Sequence, residues 1–271
     1  ENGYLQLDNG KEGAFVSEPI SVPECDTLLI SWNCYRRGGS VEMMLSYQKA
    51  NGSYSSFFSY GEWGTKPANK SCKTEEGVMD QDTLMLPEKT KSVIIKAVLT
   101  AGTDGSGDPQ LIRFGLTHNG TPNFTVDTSA LPEEVILNVI PRSQMEVPVI
   151  GGIICSPTST SMCMDYKGLS LPTADVAAMC FDYGDDIYGN WLFNVACAGE
   201  QGFEAHFDMY DTEAAMHCLA NGTPMAFSIR TEDGQITNAP HGYRFGHLIC
   251  VIGYKKINGK LHFIVNDPSS K

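Results

Sequence analysis

No apolar run in the sequence approaches the ~20 residues that a membrane-spanning helix needs. The longest, VPVIGGIIC, is short and carries a glycine pair. Positive charge is scarce as well: Lys and Arg number 19 against 32 Asp and Glu, a formal net charge of -13. A protein that tracks nucleic-acid phosphates needs clustered Lys and Arg, so this balance argues against one. The nine cysteines include no CxxC and no paired spacing that reads as a zinc site. The chain opens ENGYLQLD with no Met. A signal peptide is therefore expected to have been removed, and the protein is expected to be extracellular or at the cell surface.

What is present suffices for a folded molecule. With 271 residues, 42% hydrophobic and 19% charged, the chain can form two ordinary domains with packed cores. Cys163, Cys180, Cys197, Cys218 and Cys250 sit among Met, Ala, Phe, Leu and Ile, where a free thiol behaves as a small buried hydrophobe. Cys25 and Cys34 are near enough in sequence for a disulfide in the first half.

The two halves differ in grammar. Residues 1–120 hold DTLLISWNCY, SVEMMLSYQ, YSSFFSYGEW, SVIIKAVLTAG and PQLIRFGLTH, punctuated by RRGGS, KANGS, GTKPANKS and TDGSGDP. Short strands at that spacing, without helical period, predict an all-β sandwich or jelly roll. Trp32, Trp63 and the tyrosines read either as core aromatics or as a glycan-stacking face on this module. A Pro-containing linker follows at 121–132, and sequons stand at Asn119 and Asn123.

Residues 133–271 read as an α+β domain. Pro157 suits a first helical turn and Gly168 its stop. Further helices are predicted over LPTADVAAMCFDYG, ending at Gly184, over NWLFNVACAGEQG, and over DTEAAMHCLANG with Asp211 or Thr212 as cap and Gly222 as terminator. Strands follow at PMAFSIR, GHLICVIGY and KLHFIVND.

The segment IICSPTSTSMCMDYKG places Cys155 at the mouth of the first of these helices. A helix start carries free N–H groups and a partial positive charge. A thiol there gains thiolate character, and a neighbouring histidine deepens it. Of six histidines, His118 belongs to the β half, His217 lies in a helix, and His206 and His262 lie inside strand-like segments. His247 opens the apolar strand HLICVIGY, so it can face a cleft while its strand stays buried; His241 in the APHGYRFG loop is the other candidate base.

The hairpin GYKKINGKLHFIVNDP ends at Asp267. A two-residue Asn-Gly turn would aim Asp267 away from His247. A three-residue loop, Ile257–Asn258–Gly259, pairs Lys256 with Lys260 and brings Asp267 opposite Ile249, on the face of His247. The chemistry therefore favours the three-residue loop, with Asp267 orienting the imidazole. For an oxyanion, the Cys155 backbone N–H is one donor. Gln144, eleven residues upstream, is a second candidate if the intervening EVPVIGG loops out.

The stretches SQMEVPVIGGIICSPTSTSM, YGNWLFNVACAG, PMAFSI and GHLICVIGY…FIVNDP, in that order over roughly 140–268, resemble papain-like cysteine peptidases of the bacteriocin-processing type and their secreted bacterial relatives. The resemblance implies Cys155 as nucleophile, His247 as base, Asp267 as orienter and Gln144 in the oxyanion hole. It implies a two-domain fold, an N-terminal all-β sandwich or jelly roll before a papain-like α+β peptidase domain. A peptide or amide substrate is implied, with no metal and no organic cofactor. The stretch Tyr188–Trp191 matches a family segment bordering the cleft, with no catalytic role assigned. The rival expectation is a glycan- or protein-binding protein whose peptidase-like domain is inactive; acyl transfer by the same residues is a third.

Overall fold

In the computed structural model, which describes residues 3–8, 10–103, 107–121, 127–209, 211–239 and 241–270, the β-branched and aromatic runs of the first half pair into one antiparallel sheet. Its nine strands are β1 (Leu5–Gln6), β2 (Glu12–Val16), β3 (Ile20–Tyr35), β4 (Ser40–Tyr47), β5 (Phe58–Trp63), β6 (Cys72–Thr74), β7 (Gly77–Asp80), β8 (Thr83–Thr100) and β9 (Gln110–His118). The main path runs β1-β9-β3-β8-β4-β5. The long strands β3 and β8 change partners along their length, with irregular register between Ser21 and Thr27 and again at Asn33/Cys34. Such bulges increase twist and let one strand serve two neighbours. The sequence-visible strands were β3, β4, β5, β8 and β9; β1, β2, β6 and β7 are too short or too polar to stand out.

By packing, the chain divides into two compact units: Glu1–Asn123 with Phe181–Met209, and Phe124–Cys180 with Tyr210–Lys271. In the first unit, α3 (Trp191–Glu200) lies against β3. Asn33 Nδ2 donates to the Ala205 carbonyl at 2.9 Å, and the Phe207 N–H donates to Ser31 Oγ at 3.1 Å. This cover explains the unbroken burial of Leu28–Cys34: a strand covered on both faces loses polar alternation. Asn190 caps α3 through the Phe193 N–H and is itself held by the buried Asp182. Burial pushes the Asp82 carboxyl up to about 6, against the pull of the Trp191 N–H at 2.6 Å.

One choice between alternatives is decided here, in favour of core aromatics, and three expectations are corrected. Trp32 and Trp63 are fully buried, each edge-on to Phe193, so they form no glycan-stacking face. Cys25 and Cys34 are free and lie on one strand; nine residues at ~3.3 Å each place them far beyond disulfide reach. The helix predicted to end at Gly184 is α2, which stops at Cys180 (Thr173–Cys180). Gly184 instead lies so close to Asn69 that a Cβ would overlap its carbonyl oxygen. The third correction concerns the hairpin and is given with the second unit. Asn119 uses its side-chain amide to bind Asp26 and Thr27, whereas Asn123 and most of the first part of the linker lie outside the described residues.

The second unit holds β10 (Glu134–Ile136), α1 (Cys155–Tyr166), α2, α4 (Thr212–Ala220), β11 (Met225–Ile229), β12 (His247–Ile257) and β13 (Lys260–Asn266). β12 is central: β11 and β10 line one edge and β13 the other. Met162, Met216, Leu219, Ile249–Ile252 and Tyr254 form the core. The β12–β13 turn has two residues, pairing Ile257 with Lys260; Asn258 (φ 51) and Gly259 (φ 74) take the left-handed conformations such a turn demands. The expected three-residue loop is therefore wrong. The register shift it was meant to supply comes instead from a bulge between Val251 and Gly253. Beyond it Cys250 pairs with Asn266, and Asp267 follows opposite Ile249 after all. The bulge sits where Gly253 meets β10, since a Cβ there would collide with the Val135 carbonyl.

Candidate active site

Helix α1 is poor in apolar residues, yet Ser156, Thr158, Ser159 and Ser161 are all buried. Three of these hydroxyls donate to backbone carbonyls: Thr158 to Ile154 at 2.7 Å, Ser161 to Thr158 at 2.7 Å, and Ser159 to Leu248 of β12 at 3.3 Å. Small, self-satisfied side chains let the helix lie close on β12, and this brings its first residue, Cys155, to the first residue of that strand, His247.

Each of these two groups acts on the ionisation of the other, and the backbones of Leu248 and Ser156 also act on the sulfur. On the far side, His247 Nε2 donates to Asp267 Oδ1 at 2.8 Å, both side chains being buried. With Nε2 so engaged, Nδ1 is the nitrogen left for the thiol. Asp267 receives two more donors: the Ser269 N–H at 2.9 Å and the Tyr243 hydroxyl on Oδ2. The Tyr243 ring stacks on the imidazole, centroids 3.9 Å apart and planes 19° apart.

Burial is the largest influence on the Cys155 thiol and opposes ionisation. The His247 hydrogen bond, the Leu248 and Ser156 backbone donors and the imidazolium charge outweigh it, so the thiol lies below its ordinary value. Burial likewise disfavours the His247 cation, but Asp267 and then Cys155 raise it to about 9. Burial pushes the Asp267 carboxyl up, and the His247, Tyr243 and Ser269 donors bring it below the usual range. The three shifts agree in sense: thiolate, imidazolium and carboxylate favour one another.

Gln144 is buried at 4% exposure in a short 3-10 turn, Gln144–Glu146. Its backbone N–H donates to the Pro268 carbonyl at 2.8 Å, and Nε2 donates to the Gly151 carbonyl at 2.7 Å. The EVPVIGG stretch does loop out, with Val149 fully exposed at φ 72. His241, the other candidate base, is exposed, bonds the Gly242 carbonyl and lies edge-on to Tyr243, 4.9 Å away. His217 bonds Asn221 at the end of α4, and His118 and His262 belong to β9 and β13. In Tyr188–Trp191, Asn190 is the cap of α3 and Trp191 stacks on Phe207.

Tyr243 and Ser269 escaped the sequence reading. A tyrosine between glycines in HGYRFG and a serine after DP carry no local pattern that separates them from other loop residues. Among the described residues no cluster of His, Cys, Asp or Glu could hold a metal ion, and no helix is long and apolar enough to cross a membrane. No curated protein matches the chain. The model of the Peptidase_C39 like family matches residues 136–271, a span that contains all four of Gln144, Cys155, His247 and Asp267. That match covers half of the chain and supports a papain-like cysteine peptidase relationship. The chain belongs to the Peptidase_C39 like family.

Proposed function

We propose that this protein is a thiol hydrolase of peptide or amide bonds, with Cys155 as nucleophile, His247 as acid and base, and Asp267 as orienter. The observation that carries the reading is the buried His247–Asp267 pair, its carboxylate held by three donors, set beside a thiol at the α1 start whose ionisation it promotes. The Cys155 thiolate attacks the carbonyl carbon, and the displaced electron pair moves to the oxygen. That oxyanion is met by the Cys155 N–H at the helix start and by the hydrogen of the Gln144 carboxamide that does not serve Gly151. Collapse expels the amine, which takes its proton from the His247 imidazolium. Water, deprotonated by His247, then releases the acyl group from sulfur.

Residues 1–120 are read as a β-sandwich module preceding a peptidase domain at 133–271, and a secreted bacterial setting belongs to the same proposal. An inactive peptidase-like domain in a binding protein is the competing reading. Three mutually supporting groups speak against it, since a relay without a reaction gains nothing from buried charges.

The test is brief iodoacetamide labelling of the native protein from pH 4 to 9, read by peptide mass spectrometry. Cys155 is expected to label ahead of the other eight cysteines and well below the ~8.5 of an ordinary thiol. Labelling of Cys155 no faster than that of exposed Cys72 would move the assignment to the binding protein.

A further inference from the structure

The loop from Arg230 to Gly246 leaves and rejoins the sheet at one register pair, Ile229 with His247. It is folded on itself. Thr231 and Tyr243 exchange hydrogen bonds, the Gly242 N–H donates to Asp233 at 2.7 Å, and Arg244 pairs with Glu232 at 2.7 Å. Among the described residues of this loop, the side chain delivered onto the imidazole is Tyr243. We propose that Tyr243 is a positioning residue: its ring fixes the plane of His247 and its hydroxyl fixes the Asp267 carboxylate. This rests on the thiol-hydrolase reading.

The geometry is unusually complete for a loop residue. The near-parallel stack covers one face of the imidazole, so the ring cannot tilt away from the line joining Asp267 to Cys155. The hydroxyl takes Oδ2, which leaves Oδ1 for His247 and Ser269. The ionisable groups around the phenol are Asp267, His247, Cys155 and, edge-on, His241. Burial, then the Asp267 acceptor, raise the phenol above its ordinary value, so it stays a donor throughout the working range. Holding a base within a fraction of an ångström of its nucleophile is the usual demand on such residues.

The pH profile of Cys155 labelling in Tyr243→Phe, Tyr243→Leu and His247→Ala tests this. Phe keeps the ring and loses one hydrogen bond to a charged group, so labelling at pH 6 should slow by about fivefold. Leu loses the stack too and should slow further, its profile moving to higher pH. A Phe profile superimposable on wild type overturns the proposal, even if the Leu variant does not fold. If His247→Ala also leaves the profile unmoved, the hydrolase reading itself has failed; if only the Tyr243 variants do, the positioning role alone has.

A separate observation concerns two thiols outside the relay. Cys163 of α1 and Cys250 of β12 have their sulfurs 3.8 Å apart, Cys250 fully buried and Cys163 partly exposed. We infer that they form a disulfide under oxidising conditions. It would tie the helix that begins with Cys155 to the strand that begins with His247. Reaching the ~2.05 Å of the bond needs the sulfurs to close by just under ~2 Å, within reach of side-chain rotation. With a small external disulfide as oxidant, Cys163 attacks one of its sulfurs and releases a thiol. Cys250 then displaces the second thiol, so two protein thiols are oxidised and one disulfide is reduced.

The experiment caps Cys155 with iodoacetamide, adds oxidised glutathione, and maps linkages by non-reducing peptide mass spectrometry. A Cys163–Cys250 cross-link is expected, with Tm higher by about 5 °C and reversal by dithiothreitol. Cys163→Ser, and Cys250→Ala as the second variant, should abolish the shift. Recovery of Cys163 and Cys250 as free thiols or separate glutathione adducts overturns the inference, as does a shift that survives in both variants.

Discussion

Replacing His247 by Ala slows alkylation of Cys155 at pH 6 by between about tenfold and a hundredfold. An ordinary thiol with a value near 8.5 is ionised to about 0.3% at that pH, so full loss of a complete thiolate would cost up to ~300-fold. A thiolate of lowered basicity is also a weaker nucleophile, with a Brønsted slope of about 0.4–0.5, which returns part of that factor. In the wild type, labelling should rise on the acid side as the thiol, held below its ordinary value by His247, loses its proton. Labelling should then stay level, because the imidazolium persists up to about pH 9. Amide hydrolysis should differ from labelling at the alkaline end. It needs the imidazolium as acid for the leaving amine, so turnover falls as pH rises through about 9 while alkylation does not. Rapid-quench labelling over pH 4–9 checks the first part, and turnover of a peptide drawn from a library checks the second. An unchanged rate at pH 6 in the variant would show that His247 does not activate the thiol.

Asp267→Ala and Asp267→Asn should part company. Ala removes the acceptor of three buried donors, His247 Nε2–H, the Ser269 N–H and the Tyr243 hydroxyl. Loss of one partner of a buried pair costs about 3 kcal/mol or more, measurable by urea unfolding. The hydrogen bond to Asp267 is also the strongest influence raising His247, so the imidazolium is lost at lower pH. Turnover should fall by ~10²–10⁴-fold. Asn behaves differently because the donors are divided between the two oxygens. Both fixed N–H donors converge on Oδ1, so the Asn carbonyl takes that place. Its amide nitrogen then faces the Tyr243 hydroxyl, a rotor that can turn to accept. The tautomer of His247 is preserved, and the loss of turnover should stay within about tenfold, the charge being gone but the geometry kept. Equal losses in Ala and Asn would mean that the charge of Asp267, and not its orienting bond, is what matters.

Residues whose role follows from local chemistry were legible in the sequence. Cys155 could be singled out because Pro157 and Gly168 bracket a helix and leave the thiol at its start. His247 stood out because a glycine precedes it and an apolar strand follows; Gly246 indeed has φ 98, a turn that most residues resist. Asp267 could be placed opposite Ile249 by demanding that a base have an orienter. The device that puts it there could not be read. Asn-Gly encodes a two-residue turn, and local turn chemistry won. The compensating bulge depends on Gly253 meeting the Val135 carbonyl of β10, a contact more than a hundred residues away along the chain.

Tertiary structure alone decided the rest. Whether Gln144 faces solvent or is buried against Gly151 and Pro268, and whether Tyr243 covers the imidazole, depends on where two loops are folded. The burial of Trp32 and Trp63 depends on Phe193, from α3, packing on both. Such contacts join residues far apart in sequence, and no periodicity records them. The sequence by itself determined the longer strands, the helix that opens with a thiol, and the candidate base and its orienter, because each rests on spacing within one element. Only the folded chain determined what shields the imidazole and how the carboxylate is held, because these depend on loops whose residues have no preferred partner until the sheet has formed.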